Sequence, residues 1–498
     1  MRTDSITATM LYDFVRCPHR VTMDLFGNPA EKDPISPFVE LLWERGHLFE
    51  KETIERLQIP FINLRDLPDQ ERERLTLEAI ATGERLIYGA RIRVDDLLGE
   101  PDLLRKQGSG YVAGDIKSGA GLEGSSEDAD GKPKQHYAVQ LSLYTDILER
   151  LGFSAGRLPF VWDIHGQEIL YHLDSPRGPK TPISMWDDYL SSLRIVCSIV
   201  SREAATIGSL GGECKLCHWR TACTKQLVEL NDLTLIPDLG RSRRDNLLQH
   251  IGSVQELASI NISSFICGSK TVIPGIGVEM LKRFQARARL QIQPDSKPYL
   301  IEDVQFPSPE LELFFDVETD PMRDICYLHG FVERKGGNVQ TEKYVAFFAE
   351  EPTHDAEREA FAKAWQYIRE KNPTAIYFYS PYERTLWRKL VDRHPSVATE
   401  ADVEGLFSSQ IAVDLYNGVV RSKMEWPTRD LSIKTLATYM GFEWRDPDPS
   451  GAASIEWYHR WIDSRDIRIK QRILNYNEDD CLAMRVLTDA VRSMILKV

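Results

Sequence analysis

Residues 311–320 read LELFFDVETD, an apolar run that closes on two acids spaced two apart. A short apolar run of this kind predicts a buried strand. Side chains alternate along a strand, so Asp316 and Glu318 share one face. Two such carboxylates suit a pair of cations about 3.5–4 Å apart, which bind the attacking and departing oxygens of a phosphodiester. Near the other end of this segment, NYNEDDCLA (475–483) lies in a helical pattern with Tyr476 and Asp480 four apart, hence on one face. Asp480 can complete the metal site while the Tyr476 phenol positions a water; Asp479 is its neighbouring rival, and the Tyr-x3-Asp spacing selects Asp480. Between them TAIYFYSPYERTLWRKL (374–390) predicts a strand, a turn and a helix, with Glu383 at the turn.

These three elements, in this order, resemble a DEDD exonuclease of the tyrosine subtype on an RNase H-like fold. The resemblance implies Asp316, Glu318 and Asp480 as metal ligands and Tyr476 and Glu383 as catalytic partners. The family usually carries Asp where Glu383 stands. Asp414, in AVDLYNGVV, is the alternative acid for that role and reads better as structural.

Upstream, RIRVDDLLGEPDLLRKQGSGYVAGDIKSG (91–119) predicts two or three strands with a hairpin turn at Gln107–Gly110. Asp102 falls near the end of one strand, and Asp115 and Lys117 share a face of the next, with Ile116 turned into the opposite layer. Carboxylates on adjacent strands can hold a divalent cation, and a nearby ammonium can orient the attacking water and stabilise charge on phosphate. WERGHLFEKETIERL (43–57) predicts an amphipathic helix presenting His47, with Glu50 three residues on. QHYAVQLSLYTDILERL (135–151) predicts a helix with Gln140 and Tyr144 on one face. The order helix-His, Pro-Asp, Asp-x-Lys, Gln-x3-Tyr resembles the RecB-like branch of the PD-(D/E)xK nucleases. By that resemblance His47, Asp102 and Asp115 are metal ligands, Lys117 is the catalytic lysine, and Gln140 and Tyr144 face DNA. Asp115 stands where the family more often has Glu.

Eight cysteines in 498 residues are too few for a disulfide scaffold. Cys214, Cys217 and Cys223, in ECKLCHWRTACTKQ (213–226), supply three soft ligands, and Cys17 is the leading fourth. One early cysteine plus a later triplet around a RecB-like core resembles the iron–sulfur nucleases of the AddB and CRISPR-adaptation type. That implies a [4Fe–4S] cluster; the alternative is structural Zn2+ on the same thiolates, or with His19 or His218 replacing one. Cys197, Cys267, Cys326 and Cys481 lack partner spacing and read as buried small hydrophobes.

Between these blocks, IPDLGRSRRDNLL and IPGIGVEMLKRF begin similar Pro-x-x-Gly turns, with Pro237 and Pro274 thirty-seven residues apart. The second, with Gly275 and Gly277, resembles a helix-hairpin-helix turn, whose backbone N–H groups suit a nucleic-acid phosphate. From Asp232 to Ile292 eight basic residues face five acidic ones, against a net charge of −14 for the whole chain. That local reversal of sign fits a phosphate-tracking module.

Ordinary composition, with 42% hydrophobic and 27% charged residues, excludes a largely disordered chain, and no run approaches the ~20 apolar residues of a membrane span. The expected architecture is α/β and multidomain. A restriction-endonuclease-like domain with its cysteine cluster spans 1–228, a small helix-hairpin-helix-like module 229–294, and an RNase H-like domain 295–498. The combination resembles bacterial RecB-like nucleases with a C-terminal YprB-like domain. The expected activity is hydrolysis of DNA phosphodiester bonds, at ends or in single-stranded regions, using Mg2+ or Mn2+ at two separate sites. The alternatives are a DNA-end or junction binding protein, or an RNA exonuclease. No G-x4-G-K-[ST] motif is present, so unwinding would need a partner helicase. The cytoplasm is the expected compartment, since the N-terminus lacks the apolar core of a secretory signal.

Overall fold

The computed structural model describes residues 5–124, 131–408, 410–494 and 496. The chain divides into two compact units. Met1–Gly208 with Gly212–Thr224 forms the first, and Ser209–Gly211 with Lys225–Val498 forms the second. The middle segment falls in the same unit as the C-terminal residues.

In the first unit, helices α1 (Ala8–Arg16), α2 (Pro37–Glu55), α3 (Gln135–Arg150) and α4 (Met185–Val200) surround a six-stranded sheet. Its strands are β1 (Ile62–Asn63), β2 (Leu86–Tyr88), β3 (Leu103–Gln107), β4 (Gly110–Ile116), β5 (Phe160–Trp162) and β6 (Glu168–Leu170), adjacent in chain order across the sheet. The hairpin turn at 107–110 forms as expected, and β3 and β4 pair antiparallel with Leu103 opposite Gly114. That register sets Asp102 beside Asp115. Strand alternation sorts β4 into two layers. Tyr111 and Ala113 pack with α3 and α4, while Val112 and Ile116 pack with Ile54 of α2 and Phe160. Asp115 and Lys117 consequently face α3.

The second unit begins with the small helical module, whose main helices are α5 (Gly240–Leu247) and α6 (Val278–Ile292). A five-stranded sheet follows: β7 (Leu311–Asp320), β8 (Ile325–Lys335), β9 (Asn338–Phe348), β10 (Ala375–Phe378) and β11 (Ala412–Asp414), in the order β9-β8-β7-β10-β11. The first three are antiparallel, and β10 and β11 join parallel. Helices α7 (His354–Lys371), α8 (Tyr382–Arg393), α9 (Ile433–Tyr439), α10 (Gly451–Ser464) and α11 (Ile467–Ser493) complete it. Period-two alternation in β7 sends Leu313, Phe315 and Val317 into a core with Phe361 and Trp365 of α7 and Trp387 of α8. Phe314 points the other way, into a core with Met484 and Leu487 of α11. Asp316 and Glu318 lie on that second face, under α11. A bulge after Glu318 shifts the β7–β8 register where the acids sit. The segment around 297–312 contributes a two-residue strand at Tyr299–Leu300 paired with Met424–Glu425.

The module packs on this domain through buried charge. Glu425, 1% exposed, meets Arg283 and Arg287, the latter at 2.7 Å. Arg287 also donates to the Pro237 carbonyl at 2.8 Å and pairs with Asp238 at 3.2 Å. Arg244 is buried against Asp232 at 3.2 Å. The sequence count of basic residues thus overstates the module's surface charge, because Arg244 and Arg287 are internal and Arg283 is partly so. At the first Gly turn Arg287 takes the Pro237 carbonyl and the Asp238 carboxylate, although a Cβ at Gly240 would meet nothing within 4 Å. The second is open: Gly275 has φ +72°, and a Cβ at Gly277 would meet nothing within 4 Å.

Among the described residues no helix is long and apolar enough to cross a membrane.

Candidate metal sites

Three carboxylates converge in the second unit. Single oxygens of Asp316, Glu318 and Asp480 all lie within 4.8 Å of one another. β7 supplies the first two and α11 the third, four residues after Tyr476. Asn477, one helical turn before Cys481, donates to Asp316 Oδ2 at 2.6 Å and accepts from the Tyr344 phenol at 2.8 Å. Asp480 is held from two sides: Trp444 Nε1 donates to Oδ1 at 2.7 Å, and Lys434 Nζ reaches both oxygens at 3.0 Å. Lys434 also donates to the Tyr476 hydroxyl at 3.0 Å. Asp479 points elsewhere and binds Arg445 through its backbone N–H and its Nε, each at 2.8 Å. Tertiary structure thereby separates the two adjacent aspartates.

Burial and mutual repulsion disfavour so many negative charges in one place. Burial, then Glu318 and Asp480, raise the Asp316 carboxyl well above its ordinary range. Burial and Asp480 push Glu318 up to about 8. Glu383, in the first turn of α8, is pushed up to about 8 by burial, with Asp414 adding repulsion. Glu383 is outside the converging trio, although it is close enough to Asp316 to raise it. Its Oε2 is buried with no hydrogen-bond partner among the described residues. Asp414, the rival acid, caps the turn after β11 by accepting from Asn417 N at 2.8 Å. Hard oxygen donors, an orphaned buried carboxylate oxygen and acids that cannot all ionise alone fit a divalent cation. Lys434 and Trp444 were missed in the sequence because they are distant in it, and Asn477 because nothing in NYNEDDCLA marks it as the donor to Asp316.

The first unit gathers a smaller cluster. Ile116 N donates to Asp102 Oδ2 at 2.9 Å, and Lys117 Nζ sits 2.8 Å from Asp115 Oδ2. Burial, then Asp115, push the Asp102 carboxyl up to about 7. Lys117 rises above its ordinary value because Asp115 and Asp102 outweigh its burial. His47 does not join this cluster; it is exposed on α2. Its helix sends Glu50 inward instead, 8% exposed, where Tyr88 donates to Oε1 at 2.9 Å. Arg65 then bridges Glu50 at 2.9 Å to Asp102 at 3.5 Å. On α3, Gln140 has a buried Oε1 with no partner among the described residues. Tyr144 is only 4% exposed and packs beneath the acids, so it supports the site and presents little surface to a ligand. Tyr137, two turns before Tyr144, is the α3 residue whose ring lies against Lys117, at 5.4 Å.

Cys17, Cys214, Cys217 and Cys223 are electrostatic neighbours: the first three add to the burial that pushes the Cys223 thiol up to about 12. No three of their sulfurs lie within 4.8 Å of one another. Cys326 and Cys481 are buried as expected, Cys197 is half-buried, and Cys267 is exposed, because its two-residue strand lies on a surface hairpin.

Residues 313–492 match the family model described as RNase_H superfamily. The C-terminal domain is therefore RNase H-like, and its three acids form a site that could bind a divalent metal. No curated protein matches the chain. Two chains of solved structures match; one is the family B DNA polymerase from the hyperthermophilic archaeon Pyrobaculum calidifontis, at 17% identity and a TM-score of 0.26. The match covers 38% of this chain and 25% of that one.

Proposed function

We propose that the protein is a metal-dependent nuclease that hydrolyses phosphodiester bonds of DNA, with its principal site at Asp316, Glu318 and Asp480. The convergence of these three carboxylates on an RNase H-like sheet carries the reading. A divalent cation, Mg2+ or Mn2+ by the hardness of the donors, supplies a nucleophilic water near neutral pH and polarises phosphoryl oxygen when bound. Asp316 is oriented by Asn477 and Asp480 by Trp444 and Lys434. Burial and neighbouring acids raise the Tyr476 phenol well above its ordinary value. It stays neutral, and its oxygen is held by Lys434 at the edge of the acid cluster, where it can orient a water. Glu383 serves as the further acid beside Asp316.

In the first unit Asp102 and Asp115 would hold the cation, with Lys117 stabilising charge on phosphate; Glu50 and Arg65 orient Asp102. The open Gly275–Gly277 turn is the module's candidate phosphate contact. The four cysteines would hold a [4Fe–4S] cluster. Structural Zn2+ on the same thiolates is the alternative. The test is digestion of labelled single-stranded DNA, and of RNA in parallel, by wild type, Asp115→Ala, Asp316→Ala and the double mutant. Each single mutant should retain part of the activity and the double mutant none. Full activity in the double mutant would remove the enzymatic reading.

A second reading, a nucleic-acid platform without turnover, draws on Lys434 lying across both oxygens of Asp480. It predicts binding of the same DNA with no loss of substrate length.

A further inference from the structure

A separate cluster of cationic and aromatic side chains lies beside the N-terminal acids and takes no part in holding them. It is built by the last two turns of α1, carrying Tyr12 and Arg16, and by the start of α3, with Lys134 at its N-cap and then His136 and Tyr137. All five are half-buried. The Tyr12 and His136 ring centroids are 4.9 Å apart, and those of His136 and Tyr137 4.6 Å. Lys134 Nζ lies 5.1 Å from the Tyr137 ring, which Lys117 approaches from 5.4 Å. Two ammonium groups therefore share one phenol, one belonging to the acid cluster and the other outside it.

One cation here stands apart from the others among the described residues. Arg16 pairs with Glu213, Arg177 with Glu123 and Lys117 with Asp115. Lys134 makes no ion pair among the described residues; burial pulls its ammonium below the ordinary value and Arg16 adds to that, with Glu123 and Asp163 acting only partly against them. Burial, then Arg16, Lys134, Lys117 and Arg177, hold the His136 imidazole down to about 3. It is therefore a neutral flat ring at any working pH. A half-buried ammonium beside a guanidinium, with no ion pair of its own among the described residues, is stabilised when an anion arrives from outside. A cationic track interleaved with ring faces is the chemistry that recognises a single strand, because each unpaired base has a π-face to stack and each phosphate a charge to neutralise. In a duplex those faces are already stacked.

We propose that Lys134, Arg16, His136 and Tyr12 form a subsite for the unpaired nucleotide next to the phosphate held at Lys117. Lys134 and Arg16 take the backbone phosphate, and the His136 and Tyr12 rings take the base. This rests on the reading that the first unit binds nucleic acid at Lys117, and it makes that substrate single-stranded.

The test uses the full chain with Asp115→Asn and Asp316→Asn, so that binding is measured without cleavage. Fluorescence anisotropy with a labelled oligothymidylate is followed across a salt series. Lys134→Gln should weaken binding about fivefold or more and flatten the salt dependence by ~0.7 in log–log slope, one phosphate contact fewer on a single strand. His136→Ala should weaken binding about tenfold with the slope unchanged, as loss of one stacked base requires. His136→Phe should restore it, which a folding defect would not allow. A 5-iododeoxyuridine oligonucleotide should photocrosslink to the 131–144 or 8–16 peptide. Unchanged binding in both variants, an equal loss on blunt duplex, or crosslinks only elsewhere would overturn the subsite. Absence of cleavage by the wild-type protein, with these binding effects intact, would instead remove the nuclease reading alone.

Discussion

Substituting Gly330 with alanine should cost more than a methyl group in a strand ordinarily does. Gly330 sits on β8 directly opposite Asp316. A Cβ there would lie 1.6 Å from Asn477 Oδ1, 2.8 Å from Asn477 Cγ and 3.0 Å from the Tyr344 hydroxyl. Asn477 is fully buried and cannot swing into solvent. Accommodating the methyl pushes Asn477 off both partners, the Asp316 carboxyl and the Tyr344 phenol. Overpacking costs ~1–3 kcal/mol and each buried hydrogen bond about 1 kcal/mol, so the loss is roughly 3–5 kcal/mol. Asp316 also loses the donor that orients it, so cleavage should fall with stability. Urea unfolding of the full chain, followed by tryptophan fluorescence, reads the first effect, since six of the ten tryptophans lie beyond residue 364. Gly330→Ala combined with Asn477→Ala should be more stable than the sum of the single losses, because the clash disappears with the amide. A Gly330→Ala protein within about 0.5 kcal/mol of wild type would refute the claim that glycine is needed for α11 to reach the sheet.

In EDTA the protein should lose thermal stability as pH rises from 6 to above 8. Glu318 and Glu383 titrate near 8 when folded, above their unfolded values, so their protons favour the folded state below that pH and are lost through it. Mn2+ should reverse the loss, most strongly at the alkaline end; a melting temperature in EDTA that is flat or rises with pH would contradict this. Lys434→Met removes an ammonium that lies on Asp480 and should tighten Mn2+ binding several-fold by calorimetry while lowering cleavage; weaker Mn2+ binding would reverse the assigned role. Glu425→Ala leaves Arg287 buried without its carboxylate and should destabilise by ~3–5 kcal/mol, with limited proteolysis cutting between the module and the sheet; resistance equal to wild type would argue against the anchor. Anaerobically purified protein should be brown with iron and labile sulfide, and Cys217→Ala should lose both; colourless protein with stoichiometric zinc would replace the cluster by the alternative.

Much of the C-terminal site could be read from local pattern. Asp316 and Glu318 share a face because strand side chains alternate, and Tyr476 and Asp480 because helical ones repeat near four. The N-terminal pair Asp102 and Asp115 followed from a hairpin whose turn residues were visible. The helix carrying His47 was legible but not its facing: α2 turns Glu50, three residues later, toward Arg65 and leaves His47 exposed. The charge count in the middle segment failed similarly, since periodicity does not say that Arg287 enters a core to meet Glu425.

What the sequence by itself determined was the kind of element each acid sits on and which acids share its face, because backbone periodicity is local. Only the tertiary structure decided which side chains close each site. Lys434 and Trp444 reach Asp480 from a helix and a loop dozens of residues before it, and Arg445 draws Asp479 away. Those are choices made by packing, where burial penalises any carboxylate without a partner and the nearest donor in space, not in sequence, supplies one.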